Sequence, residues 1–182
     1  MNCFKSGYEQ VHLFECKGGK QGLYQNQIGA IGAALAHFST RNEPALITMP
    51  TGTGKTAVMV VLSYLLRAEK ILVITPSQLV REQIVENFRN PKVLVDKKII
   101  PGGRKLPKVF ELVNIINDKK EWSRILKAYD VIVGIPGTLN KIADLKETVG
   151  AKAFDLVFVD EAHHSRANSW INILEAFSAS KQ

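Results

Sequence analysis

The sequence predicts an α/β fold, a doubly wound and mainly parallel sheet with helices on both faces. Three observations predict it. Short, almost wholly apolar runs at residues 45–49, 71–74, 131–133 and 154–159 have the composition of strands buried on both faces of a parallel sheet. Helix-like stretches at 54–68, 77–88, 138–147 and 169–177 follow these runs in turn, so β and α elements alternate along the chain. The passages from strand to helix are punctuated by Pro50 to Thr56, Thr75-Pro76-Ser77 and Pro136-Gly137-Thr138.

Taken in order, residues 1–22 read as a lead-in containing the strand-like run 11–17, and residues 23–182 as one domain. Helical periodicity at 27–38 precedes the first strand, 45–49. Residues 107–128 read as two short helices inserted before the strand at 131–133. Ser178-Ala179-Ser180 reads as the loop that ends the last helix. The chain has no internal repeat and no low-complexity tract.

Residues 50–56 read Pro-Thr-Gly-Thr-Gly-Lys-Thr between the first strand and the first following helix. Such a turn aims backbone N–H groups and the positive end of a helix dipole at one point, where a polyphosphate can sit. Gly52 and Gly54 allow positive φ and close approach, with Thr51 and Thr53 contributing loop amides. Lys55 reaches the β and γ oxygens and the Thr56 hydroxyl ligates Mg²⁺. The pattern G-x-x-x-x-G-K-[ST] is incomplete, because Met49 stands at its first Gly. The expected ligand is ATP with Mg²⁺.

The run 154–159 ends in two adjacent acids, Asp160 and Glu161. Ligands collect at the carboxyl ends of strands in open α/β sheets, so both acids are expected on the ligand rim. Asp160 suits Mg²⁺, often through water, and Glu161 suits orienting the attacking water. The catalytic set expected is therefore Lys55, Asp160 and Glu161.

These segments resemble motifs of superfamily-two DEAD/DEAH-type helicases, in the expected order. "PTGTGKT" at 50–56 is similar to motif I and "DEAH" at 160–163 to motif II. Residues 71–80 resemble motif Ia and 131–139 motif Ib, while 23–31 are similar to the segment that places Gln27 at the adenine-reading glutamine. The resemblance implies a RecA-like P-loop NTPase domain of the DEAH, restriction-enzyme res-subunit-like branch. It implies nucleic acid as partner, DNA ahead of RNA, held without base readout at Pro76, Ser77, Gln78 and Arg81 and at Pro136, Gly137 and Thr138. It also places a Ser/Thr-Ala-Thr motif and a second RecA-like domain, with its arginine fingers, outside the sequence in hand. Arg81 and Arg166 are the internal arginines nearest the motifs. A second reading, an ATP-binding switch or scaffold that does not translocate, uses the same nucleotide site.

Composition fits one domain of 182 residues with 46% hydrophobic residues. No apolar stretch approaches the roughly 20 residues of a membrane span, and the N-terminus has no signal-peptide core, so a cytoplasmic location is expected. Cys3 and Cys16, with His12 between them, read as free thiols. Glu15-Cys16-Lys17 has the ending found in PD-(D/E)xK nucleases, but only Glu9 lies upstream, and an edge strand of the domain is the preferred reading. The net charge of +7 fits a polyanion partner. Part of it lies in Lys92, Lys97, Lys98, Arg104, Lys105 and Lys108, which read either as a phosphate-tracking surface or as a solvated loop.

Overall fold

The computed structural model describes residues 2–16, 21–161 and 168–182. The chain divides into two compact units, Met1–Ala68 with Glu86–Leu106 and Glu69–Val85 with Pro107–Gln182.

The first unit is helical. It contains α1 (Cys3–Gly7), a 3-10 turn (Tyr8–Gln10), α2 (Gln25–Thr40), α3 (Lys55–Leu65), the last turn of α4 (Gln78–Arg89) and α5 (Lys92–Asp96). After Thr56 the α3 sequence is almost entirely apolar, and residues 58–64 are buried, as a helix hydrophobic all round requires. On α1, which the Asn2 side chain caps, Phe4 sets its ring edge against Tyr64 at a centroid distance of 4.8 Å. Ile31 and Ala34 are the buried hydrophobic residues of α2.

Among the described residues, two expected strands do not form in this unit. The run 11–17 yields a single parallel bridge, Glu15 to Leu23, because only a short extended segment lies opposite it. Residues 45–49 belong to no strand, and Leu46 is 79% exposed. A strand needs a neighbour for its N–H and C=O groups, and no ladder takes up this run among the described residues.

The second unit is a four-stranded parallel sheet with helices, ordered β2-β3-β1-β4. Its strands are β1 (Ile71–Ile74), β2 (Val109–Glu111), β3 (Val131–Gly134) and β4 (Leu156–Val159). Register sets Ile74 opposite both Gly134 and Val159. Thr75 and Asp160 extend these ladders by one position each, through Thr75 N–H to Gly134 O at 3.0 Å and Asp160 N–H to Ile74 O at 2.9 Å. The core gathers Leu72, Ile74, Ile132 and Val157 with Trp122, Trp170, Ile173 and Phe177 from α6 (Lys119–Ala128), α9 (Asn168–Ala176) and the turn after it.

Here too the elements differ from expectation in places. Residues 107–128 give one strand and one helix instead of two helices, because Lys108 and Asp130 exchange hydrogen bonds that pin β2 alongside β3. The helix expected at 138–147 is two short ones, α7 (Pro136–Leu139) and α8 (Leu145–Val149). Asp144 breaks it, at φ 41°, and its side chain caps α8 by accepting from Glu147 N–H. Beyond the loop 178–180, Lys181 adds to β4: its N–H donates to Asp155 O and its C=O accepts from Val157 N–H. No helix among the described residues is long and apolar enough to cross a membrane.

Candidate functional site

The Gly-rich turn lies in the first unit. Gly52 and Gly54 take φ of 78° and 81°, a left-handed backbone that L side chains rarely adopt. Thr53 tightens the turn by donating its hydroxyl to Pro50 O at 2.6 Å. Gly54 is the N-cap of α3, and its carbonyl accepts from Ala57 N–H at 3.0 Å. Lys55 and Thr56 thus form the first positions of a buried, rigid helix. The space a Cβ would take on Gly52 is open within 4 Å, which is what a close-approaching phosphate requires.

Gln27 sits against this turn with 4% of its surface exposed. Its Oε1 accepts from Tyr24 N–H at 3.0 Å and so closes the first turn of α2. Its Nε2 donates to Thr53 O at 2.9 Å and reaches Gly54 O at 3.4 Å. A Cβ built on Gly54 would collide with that same nitrogen, a second reason for glycine there. The structure therefore brings Gln27, not Gln25, to the turn; Gln25 donates instead to Glu15. In this state the Gln27 amide holds loop backbone.

The acidic strand end lies in the second unit. Asp160 follows β4 in line with its ladder and is half-buried, as is Glu161. Glu161 has φ 57°, uncommon for a non-glycine residue, and its N–H donates to Asp160 Oδ1 at 3.1 Å. Strain of this kind costs on the order of 1 kcal/mol and is found most often at functional sites. His163 of the acidic motif, and Arg166, lie outside the described residues.

Parallel pairing puts the ends of β3, β1 and β4 in one row. At the end of β1, Thr75 is buried, Pro76 half-buried, and Ser77 and Gln78 exposed. The Ser77 hydroxyl accepts from Val80 N–H at 3.4 Å, capping α4. At the end of β3, Gly137 is exposed but Thr138 is buried and its N–H already donates to Ile135 O at 3.0 Å. Thr138 is accordingly a turn-forming residue whose amide is engaged.

Arg81 departs from expectation. It is 4% exposed, its Nε pairs with Glu111 Oε1 at 2.9 Å, and its Nη1 lies 3.5 Å from Leu112 O. A guanidinium held in this way ties α4 to β2 and is turned away from solvent, which conflicts with a phosphate contact or an arginine finger. Nothing local in the sequence marks this pair, because Glu111 lies 30 residues away on β2.

A sequence profile of the type III restriction enzyme res subunit matches residues 20–182. No curated protein matches the chain in sequence. Among solved structures it is similar to a hypothetical ATP-dependent RNA helicase from Sulfolobus tokodaii, with TM-score 0.59 and 24% identity over 90% of this chain and 45% of that one. It is also similar to the UvsW helicase from bacteriophage T4, with TM-score 0.61 and 18% identity over 97% of this chain and 55% of that one. The chain spans about half the length of these structures, and at such identities the likeness shows the fold, which is RecA-like. The profile covers far more than half of the sequence, and the chain belongs to the type III restriction enzyme res subunit family, within the superfamily-two helicases.

Proposed function

We propose that this chain is the ATP-binding motor domain of a DEAH-type helicase or translocase acting on nucleic acid, DNA ahead of RNA. The observation that carries the reading is the left-handed Gly52–Gly54 turn opening straight into the buried helix α3 at Lys55 and Thr56. The amides of Thr51 to Gly54 would cradle the phosphates, Lys55 would meet the β and γ oxygens, and the Thr56 hydroxyl would ligate Mg²⁺. The motif resemblance assigns Asp160, at the end of β4, to Mg²⁺ as well. Bound Mg²⁺ neutralises charge that develops on the phosphates. Glu161 orients the attacking water, and Gln27 contributes to adenine preference once its amide leaves the loop carbonyls. The turns at Pro76, Ser77 and Gln78 and at Pro136 and Gly137 hold nucleic-acid phosphates without reading bases.

Turnover needs one more part, a cation that meets charge on the γ-phosphate. The Glu111 pairing occupies Arg81, so we assign that cation to a second RecA-like domain, and translocation to the two domains together. Titration calorimetry with ATP·Mg²⁺ tests the binding half. Lys55→Ala is expected to weaken ATP about ten- to hundredfold, as removal of a charge-assisted contact does. Equal affinity in wild type and variant sinks the assignment.

A further inference from the structure

Charge is divided unequally between the two units. The segments of the first unit hold 12 Lys and Arg against 5 Asp and Glu, and those of the second, of nearly equal length, hold 12 against 12. The whole net charge of +7 therefore belongs to the helical unit, and the unit that carries the strand-end turns is neutral.

The basic side chains of the first unit are not simply scattered. Residues 89–105 carry six Lys and Arg with Asp96 as the one acid among them, and this stretch is packed in place, not looped into solvent. Ile99 and Ile100 are fully buried, Ile99 O accepts from His12 N–H at 2.8 Å, and Lys97 O accepts from Gly22 N–H at 3.0 Å. Aromatic rings then fix three of the unit's cations. The Arg67 guanidinium lies 3.6 Å over the Tyr8 ring, Arg104 lies 4.8 Å over Tyr64, and Lys97 Nζ lies 4.6 Å over Tyr24. Arg67 and Arg104 are brought close together, because Arg104 also lies against Gly7, next to Tyr8. One guanidinium nitrogen, Arg104 Nη1, is buried with no hydrogen-bond partner.

A solvated charged face is the common fate of surface lysines. It does not account for an excess of positive charge gathered in half of a chain, with cations set in position by tyrosine rings, whose faces attract a cation without cancelling its charge. We infer that the basic surface of the helical unit, with Arg67 and Lys97 held over tyrosine rings and Lys92, Lys98 and Lys105 exposed, is the main electrostatic docking surface for the phosphate backbone of nucleic acid. The inference rests on the nucleic-acid reading above and moves most of the charge-dependent affinity away from the strand-end turns, which position the strand.

The test uses the full chain with a labelled 25-nucleotide single-stranded DNA and the matching duplex, with affinity followed by anisotropy across a salt series. Each lost phosphate contact lowers the slope of log K against log salt by about 0.7 on a single strand and about 0.9 on a duplex. Replacing Lys92, Lys98 and Lys105 together by Gln is expected to flatten the slope by about two to three and to weaken binding about tenfold or more at 0.1 M salt. A matched triple in the sheet unit, Lys120, Lys127 and Lys152 to Gln, is expected to leave the slope unchanged. The single change Arg67→Gln is expected to lower it by about one. Equal effects of the two triples, or an effect of the sheet-unit triple alone, overturn the inference while leaving the nucleic-acid reading intact. Wild type that binds ATP but no DNA overturns both. Preference for vesicles of acidic phospholipid, with no competition by DNA, assigns the face to a membrane and also overturns it.

Discussion

The two units hold themselves together by different means. In the helical unit, cations rest on tyrosine rings, the Gly-rich turn is held by the buried amide of Gln27, and positive charge is left over. In the sheet unit, four parallel strands carry the core, the buried Arg81 is paired with a carboxylate, and charge cancels. Surplus positive charge and the parallel-sheet scaffold thus lie in separate parts of one chain. A sheet buried on both faces tolerates little uncompensated charge, whereas a helical layer can display it along its outer surface.

The contrast can be broken from either side. The largest effect is expected at Gly54→Ala, which forces a side chain into a left-handed turn and into the Gln27 amide. ATP affinity measured by calorimetry should fall to an undetectable level while the far-ultraviolet spectrum of the sheet unit persists.

Next in size is Arg81→Met, which leaves Glu111 without its partner. Because Glu111 keeps about a quarter of its side chain in solvent, the cost is set at about 2 kcal/mol, below that of a fully buried pair. Urea unfolding should show that loss, and DNA affinity of the folded variant should be unchanged. A normal stability with weakened DNA binding would return Arg81 to the nucleic-acid surface.

Gln27→Ala should cost about 1 to 2 kcal/mol of stability, since it removes the bonds to Tyr24 and Thr53. It should also narrow the gap between ATP and GTP affinity; an unchanged ratio makes Gln27 a structural support of the turn and nothing more. Smallest is Glu161→Gly, expected to stabilise the fold by at most about 1 kcal/mol by relieving its positive φ while removing the water-orienting carboxylate. A destabilised Glu161→Gly would show that the contacts of the carboxylate outweigh the relief of strain.

How legible the fold was depends on the element. Three buried strands could be read because a strand covered on both faces needs an unbroken apolar run, as 71–74, 131–134 and 156–159 have. The run 45–49 has the same composition and misled, since composition reports burial and a ladder also needs a partner. β2 was missed because three residues ending in Glu111 carry almost no periodic signal. The Gly-rich turn was legible because glycine at positive φ leaves its mark in the sequence, while the left-handed Glu161 leaves none. The pairing of Arg81, and the gathering of all excess charge in one unit, depend on contacts between distant segments, which spacing along the chain does not encode.

This chain is expected to bind ATP while the cation that completes phosphoryl transfer comes from elsewhere. Steady-state ATPase of wild type and Glu161→Gln, with and without single-stranded DNA and at saturating ATP·Mg²⁺, tests it directly. An absent arginine finger lowers the rate about 10³- to 10⁵-fold, so the expected result is trace turnover, little stimulated by DNA and lower still in Glu161→Gln. Robust, DNA-stimulated turnover by the chain alone, abolished in Glu161→Gln, would instead show that the catalytic centre is already complete.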